Sequence, residues 1–222
     1  MKYLKKFENH TQYENARQNL ILPNVSLCTQ ENEVHYNPFV PPFFCKLTLN
    51  NGSTVELEGS GELTSAMTVE YSATCVSAEI GDLCTSIGPN AFSGYSGMSS
   101  VNIGNSVASI GSNAFASCSS LLSVNILDSV TNINTFAFYY CSGITSVTIG
   151  SGIANIGNSA FYGCSNLSSV TVKATTPPAF VNSAFSMTSI NSGHIYVPSA
   201  SVDAYKAASG WSSYASRIQA IQ

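Results

Sequence analysis

Apolar and polar positions along this chain recur with a fixed period. The pair Ala-Phe stands at Ala91-Phe92, Ala114-Phe115, Ala137-Phe138, Ala160-Phe161 and Ala184-Phe185, and the phenylalanines follow one another at an almost constant step. Other columns keep the same step: Ile87, Ile110, Ile133 and Ile156; Gly88, Gly111 and Gly157, broken once by Asn134; Met98, Leu121, Ile144 and Leu167. Val101, Val124, Val147 and Val170 form another, followed by Ile103, Ile126, Ile149 and Val172; Val107, Val130 and Ile153 close the unit. Each unit reads I-G-x-x-A-F-x-x-C-x-x-L-x-x-V-x-I-x-x-x-V. Its V-x-I segment alternates, which predicts a short half-buried strand. The Gly after Ile predicts a turn where a side chain would obstruct the backbone. A unit this short cannot bury its own apolar side, whereas stacked units can, so the pattern predicts a solenoid.

That unit resembles the BspA-type leucine-rich repeat of bacterial surface proteins. The resemblance covers residues 63–197 and departs at both ends. Tyr95 stands where later units carry Cys118, Cys141 and Cys164, and Thr175-Thr176-Pro177-Pro178 interrupts the last unit. Counting back one period from Met98, Val107, Ile103 and Phe92 lands on Cys75, Cys84, Ile80 and Val69, so residues 63–85 read as a degenerate first unit. Ile195-Tyr196-Val197 supplies a last strand. About six units at ~4.8 Å per strand make a stack roughly 25 Å long.

The open ends of such a stack need covers. After Val197-Pro198, a helix is expected from Ser199–Ser201 through Val202, Tyr205 and Ala208, stopped by Gly210, with Trp211 over the last unit and a second short helix at about 213–221. The order of Pro177-Pro178, Ile195-Tyr196-Val197-Pro198, Tyr205-Lys206 and Trp211 resembles the terminal segment of many BspA-type chains. At the other end, Thr11-Gln12-Tyr13-Glu14 is a capping box that predicts a helix to about Gln18. Strands are expected at Asn24–Cys28 and Glu33–Tyr36. Cys45, Leu47, Leu49 and then Val55, Leu57 alternate around Asn51-Gly52, a strong hairpin signal. The segments 22–26 (Leu-Pro-Asn-Val-Ser) and 34–38 (Val-His-Tyr-Asn-Pro) resemble a leader shared by gut Bacteroidetes proteins and their phages. The expected fold is therefore an α+β repeat. It comprises a leucine-rich-repeat solenoid of 23-residue units over 63–197, a small N-terminal α+β region over 1–62 and a C-terminal helical cap over 198–222.

Charge sharpens the picture. Only 9% of the 222 residues are charged, against about 25% in ordinary domains. Hydrophobic residues make 44%, so the chain is not a disordered one. A net charge of −4 with 8 Lys+Arg argues against nucleic acid. No apolar run approaches the roughly 18–20 residues of a membrane span. Met1-Lys2-Tyr3-Leu4-Lys5-Lys6 looks like a signal-peptide start, but Phe7–Gln12 is polar, so an ordinary Sec signal is not expected from the sequence as given. From Leu83 to Val172 the single charged residue is Asp128. That stretch offers almost no general acid or base and no carboxylate cage.

Candidate chemistry is correspondingly thin. His10, His35 and His194 lie in separate segments without fixed-spacing partners. Glu56, Glu58, Glu62, Glu70, Glu79 and Asp82 form an acidic stretch read as a solvated face. No GxSxG, P-loop or GxGxxG is present. The seven cysteines include no CxxC and no Cys/His cluster of zinc spacing. They read as reduced core thiols, three of them sharing one column. No metal, no cofactor and no catalytic residue is expected.

The polar columns carry the better lead. Ser100, Ser123, Ser146 and Ser169 form one ladder, and Asn102, Asn125, Thr148 and Thr171 a second. Either they present a flat neutral docking face for a protein or a glycan, or they only let strands stack. Phe39, Val40, Phe43 and Phe44, braced by Pro38, Pro41 and Pro42, are candidate anchors to a partner or to copies of the chain, unless the segment only covers the first unit. The resemblance implies a non-catalytic adhesion module. The alternative is a phage virion structural or attachment subunit, which would reconcile an adhesive repeat with the missing signal; an enzyme is the remote third reading.

Overall fold

The computed structural model describes residues 43–180 and 182–222. The expected helix at 11–18, the strands Asn24–Cys28 and Glu33–Tyr36, and the candidate anchors Phe39 and Val40 lie outside the described residues.

The V-x-I segments form parallel strands. β8 (Ser123–Ile126), β10 (Ser146–Ile149) and β12 (Ser169–Val172) pair with Ser123 opposite Ser146 and Ser146 opposite Ser169. Because equal residues pair, the inward Val and Ile of each strand meet the same residue types next door. β14 (His194–Val197) and β15 (Ile218–Ala220) extend this sheet beyond β12. A second sheet holds β4 (Cys75–Ile80) and β6 (Ser100–Asn102), again parallel, with Ser77 opposite Ser100. The hairpin signalled by Asn51-Gly52 is β1 (Cys45–Leu49) with β2 (Thr54–Leu57), and Gly52 takes the left-handed conformation at φ 82°. β1 also pairs antiparallel with β4, giving the order β2-β1-β4-β6. The two sheets abut where Leu122 N–H donates to the Ser99 carbonyl at 3.3 Å.

A third sheet of short strands lies at the Ile columns. It runs β13 (Ala179–Phe180), β11 (Asn155–Ile156), β9 (Asn132–Ile133), β7 (Ser109–Ile110), β5 (Cys84–Ile87) and β3 (Gly61–Leu63), all parallel. Its strands end early because the following turn packs tightly: a Cβ on Gly111 would lie 2.6 Å from the Gly88 carbonyl carbon. The Ala-Phe segment adds a further line of bonds. The N–H groups of Phe92, Phe115 and Phe138 donate to the carbonyls of Ala114, Ala137 and Ala160 in the next unit, at 2.6, 2.8 and 2.7 Å.

Between these lines lies the core. Phe92, Phe115, Phe138, Phe161 and Phe185 are buried and stacked, with neighbouring ring centroids 5.3, 5.1, 5.0 and 5.5 Å apart. The column does not continue to Val69, which is 64% exposed. There the chain turns through α1 (Ser65–Thr68) and a 3-10 turn at Val69–Tyr71, which buries Thr68 instead. Tyr95 meets Phe92 edge-on at 5.2 Å, and its hydroxyl donates to the Thr68 carbonyl.

The C-terminal segment also departs from expectation. A 3-10 turn at Ser199–Ser201 leads into α2 (Val202–Ala207), and Gly210 at φ 80° redirects the chain. The second helix expected at about 213–221 is instead a 3-10 turn, Trp211–Arg217, followed by β15. The strand wins because β14 would otherwise be an open edge: Ile218 pairs with Ile195, and Ile221 N–H donates to Val197 at 2.9 Å.

Candidate functional site

Alternation along each strand decides which side chains face out. Val124, Ile126, Val147, Ile149, Val170 and Val172 are buried. Ser100, Asn102, Ser123 and Asn125 are exposed; Ser146, Thr148, Ser169 and Thr171 are half-buried. Pairing sets Ser123, Ser146 and Ser169 side by side, and likewise Asn125, Thr148 and Thr171. Ser100 and Asn102 stand in the other sheet, beside Ser77 and Glu79.

Polar side chains elsewhere are spent on joining units. Ser99, Thr131 and Thr145 donate to the carbonyls of Val76, Ala108 and Leu122 at 3.2, 3.1 and 3.4 Å. Asn134 and Asn166 reach Ile110 and Ser142 at 2.9 and 2.8 Å. Asp82 and Asp128 accept from the N–H groups of Asn105 and Ser151 at 3.2 and 2.7 Å. That bond, with the Ser151 hydroxyl, holds the Asp128 carboxyl below its ordinary range. The ladder side chains make no such bond to another described residue.

The face extends beyond the four units that define the ladders. Ser77 and Glu79 continue both ladders, and with Lys46, Thr48, Thr54, Ser100 and Asn102 they line a groove of about 480 Å³. The columns one period before Ser100 and Asn102 carried that signal. At the other end His194 and Tyr196 pair with Ser169 and Thr171 and stack at 5.9 Å. The offset there is longer than the repeat, so the fixed period misses them.

Phe44 requires a correction as an anchor. It is 2% exposed and belongs to the core, and its carbonyl accepts from Gly81 N–H at 2.9 Å. Its ring lies against Gly59, where an added Cβ would meet it at 3.1 Å. Phe43 is half-buried, with its carbonyl accepting from Leu83 N–H at 3.3 Å. Among the described residues no group of three or more His, Cys, Asp or Glu is placed to hold a metal ion. No described helix is long and apolar enough to cross a membrane.

The family model for the BspA-type leucine-rich repeat region matches residues 72–206 in six copies. The chain belongs to that family. No curated protein matches it. Repeats of the BspA type are generally non-catalytic binding repeats.

The cysteine of the BspA-type unit has a defined place here. Cys118, Cys141 and Cys164 are fully buried, and their thiols donate to the carbonyls of Phe92, Phe115 and Phe138 in the preceding unit at 3.1, 2.9 and 3.1 Å. Tyr95 makes the equivalent bond to Thr68 where the first clear unit lacks the cysteine. The adjacent Cys141 thiol, then burial, hold Cys118 and Cys164 far above the ordinary thiol range. The neighbouring thiols favour charge on Cys141 over themselves, but a lone buried charge is costly and burial keeps the column closed to reagents. Burial likewise pushes Cys45 up to about 12 and Cys75 up to about 11. All six described cysteines are free. The column should therefore resist iodoacetamide in the native protein and label fully on unfolding. Native labelling of Cys141, or a disulfide within the column, would contradict this; peptide mass spectrometry decides.

Proposed function

We propose that this chain is a non-catalytic binding and adhesion module. Its solenoid of 23-residue units over 63–197 lies between a small N-terminal region, 1–62, and a helical cap, 198–222. The solenoid presents the neutral face of Ser100, Asn102, Ser123, Asn125, Ser146, Thr148, Ser169 and Thr171 to a protein or glycan partner. One observation supports this reading: six of these side chains stand in register along one sheet and two on the adjoining one, and all eight make no hydrogen bond to another described residue, while their polar neighbours bind adjacent units. Had the ladders existed only to let strands stack, they would be expected to share the joining bonds of Thr131 and Thr145. Phe39, Val40 and Phe43 are the remaining candidates for anchoring or self-assembly.

The test adds charge and bulk to the face. Beads coated with the Asn125→Lys/Thr148→Lys protein and with the wild type are counted on epithelial and bacterial cell layers. Asn125 is exposed and Thr148 half-buried on the outer face of the sheet, so melting should change little. Adherence should fall roughly tenfold, the cost of one disrupted contact cluster. Equal adherence of the two proteins would remove the strand face from the binding surface.

A further inference from the structure

The Ala-Phe turns carry a second surface that the strand face does not include. Two positions of the first four turns, and one of the fifth, adopt left-handed backbone. The first holds Asn90, Asn113, Phe136 and Ser159 at φ 57°, 55°, 60° and 54°. The second holds Gly94, Ser117, Tyr140, Gly163 and Met187 at φ 82°, 62°, 55°, 75° and 57°. Asn and Gly suit this conformation, and small residues tolerate it; a bulky aromatic there is a true outlier. One unit places aromatics at both positions, Phe136 and Tyr140, and adds Tyr139 where the unit before has Ala116. The next unit contributes Tyr162.

These four rings form one cluster. Phe136 meets Tyr139 edge-on at 5.1 Å, Tyr139 meets Tyr140 edge-on at 4.5 Å, and Tyr139 stacks on Tyr162 at 5.4 Å. Tyr140 meets Tyr162 at 5.8 Å. Gly163 makes room for it: a Cβ there would lie 2.9 Å from the Tyr140 ring. The cluster is not core. Tyr140 is 43% exposed, and Phe136, Tyr139 and Tyr162 are half-buried. Core packing therefore does not explain the strained aromatics, and strain of this kind is retained at sites of function.

The surroundings define the ligand. Asp128 is the single charge between Leu83 and Val172, and it is held by Ser151. Among the described residues of these units no cation is present to attract a phosphate or a carboxylate, and the one anion is already engaged. Exposed Ser117 offers a hydroxyl in the turn columns, and exposed Asn158, whose Oδ1 accepts from the Ser159 and Ser183 hydroxyls, offers its amide N–H groups. Aromatic faces are electron-rich and attract C–H groups carrying partial positive charge. A neutral surface of ring faces and hydroxyls complements a ligand with C–H faces and a hydroxyl rim. We propose that Phe136, Tyr139, Tyr140 and Tyr162 form a stacking site for neutral pyranose glycans, separate from the strand face and independent of its role.

The repeat itself supplies the test variant. Phe136→Asn, Tyr139→Ala and Tyr140→Ser install the residues that the preceding unit carries at the same columns, Asn113, Ala116 and Ser117. The triple variant removes aromatic strain, so its melting temperature should stay level or rise. Native gels containing β-glucan, α-mannan or galactan are compared with gels containing heparin. The full chain should be retarded by at least one neutral polysaccharide, insensitively to salt, and not by heparin. In the variant the affinity should drop roughly tenfold or more, the effect of losing several stacked rings. Retardation by no neutral polysaccharide, or equal retardation of the variant, overturns the proposal. So does a concentration-dependent dimer, seen by sedimentation, that the variant abolishes, because the patch would then be a contact between copies. Asn125→Lys/Thr148→Lys should leave glycan retardation intact; its loss there would also overturn a separate site.

Discussion

Phe138→Ala is expected to lower the free energy of unfolding by about 3–5 kcal/mol. The ring is fully buried between Phe115 at 5.1 Å and Phe161 at 5.0 Å. Truncation removes contacts on both sides at once, so two interfaces between units weaken together. The surroundings are poorly able to close the gap. Phe138 N–H is tied to Ala160 at 2.7 Å and its carbonyl to the Cys164 thiol at 3.1 Å. Those bonds, and the strand ladders, hold neighbouring units at fixed spacing, so a cavity persists. Urea unfolding with an unchanged m-value is the measurement. Phe138→Met fills more of the volume and should cost less. A loss below about 1 kcal/mol for the alanine variant would mean that the ring does not separate two packed neighbours.

Much of this was legible in the sequence because one period carries it. Where residues one period apart are alike, strand pairing, the Phe column and the inward Val and Ile follow together, and the paired strands show that register. Legibility failed where the period slips or where a partner is distant. Val69 occupies the Phe column in sequence, yet the chain coils into a helical turn and exposes it. Local alternation identified the hairpin β1–β2 but could not reveal that β1 would join β4, or that Phe44 just before it would be buried in the core. At the far end the insertion around Thr175–Pro178 hides His194 and Tyr196 from the ladder count. The terminal helix gave way to a strand because an open sheet edge outweighs weak local helix preference. The columns do mark Phe136 and Tyr140 as odd residues, but only backbone conformation shows that they are strained.

The second large effect lies at the C-terminal end of the core. Trp211→Ala should cost about 3–5 kcal/mol, as for other fully buried tryptophans. Trp211 is fully buried, stacks on Phe180 at 4.3 Å and meets Tyr205 edge-on at 5.1 Å. Its indole N–H donates to the Pro178 carbonyl at 3.0 Å, and Tyr205 donates to Ala174 at 2.9 Å. The ring thus joins α2 to the last unit and keeps β15 against β14. Without it, β15 should detach and leave β14 as a free edge, so the variant should also self-associate as concentration rises. Trp211→Phe keeps part of the stacked area but loses the hydrogen bond and some ring volume, so it should cost less than the alanine variant. The wild-type chain contains one tryptophan, so its fluorescence reports this end alone. Its red shift on unfolding should coincide with the loss of far-ultraviolet circular dichroism if the end and the core unfold together. An early fluorescence transition, with alanine and phenylalanine variants equally stable, would show instead that Trp211 covers the last unit without stabilising it.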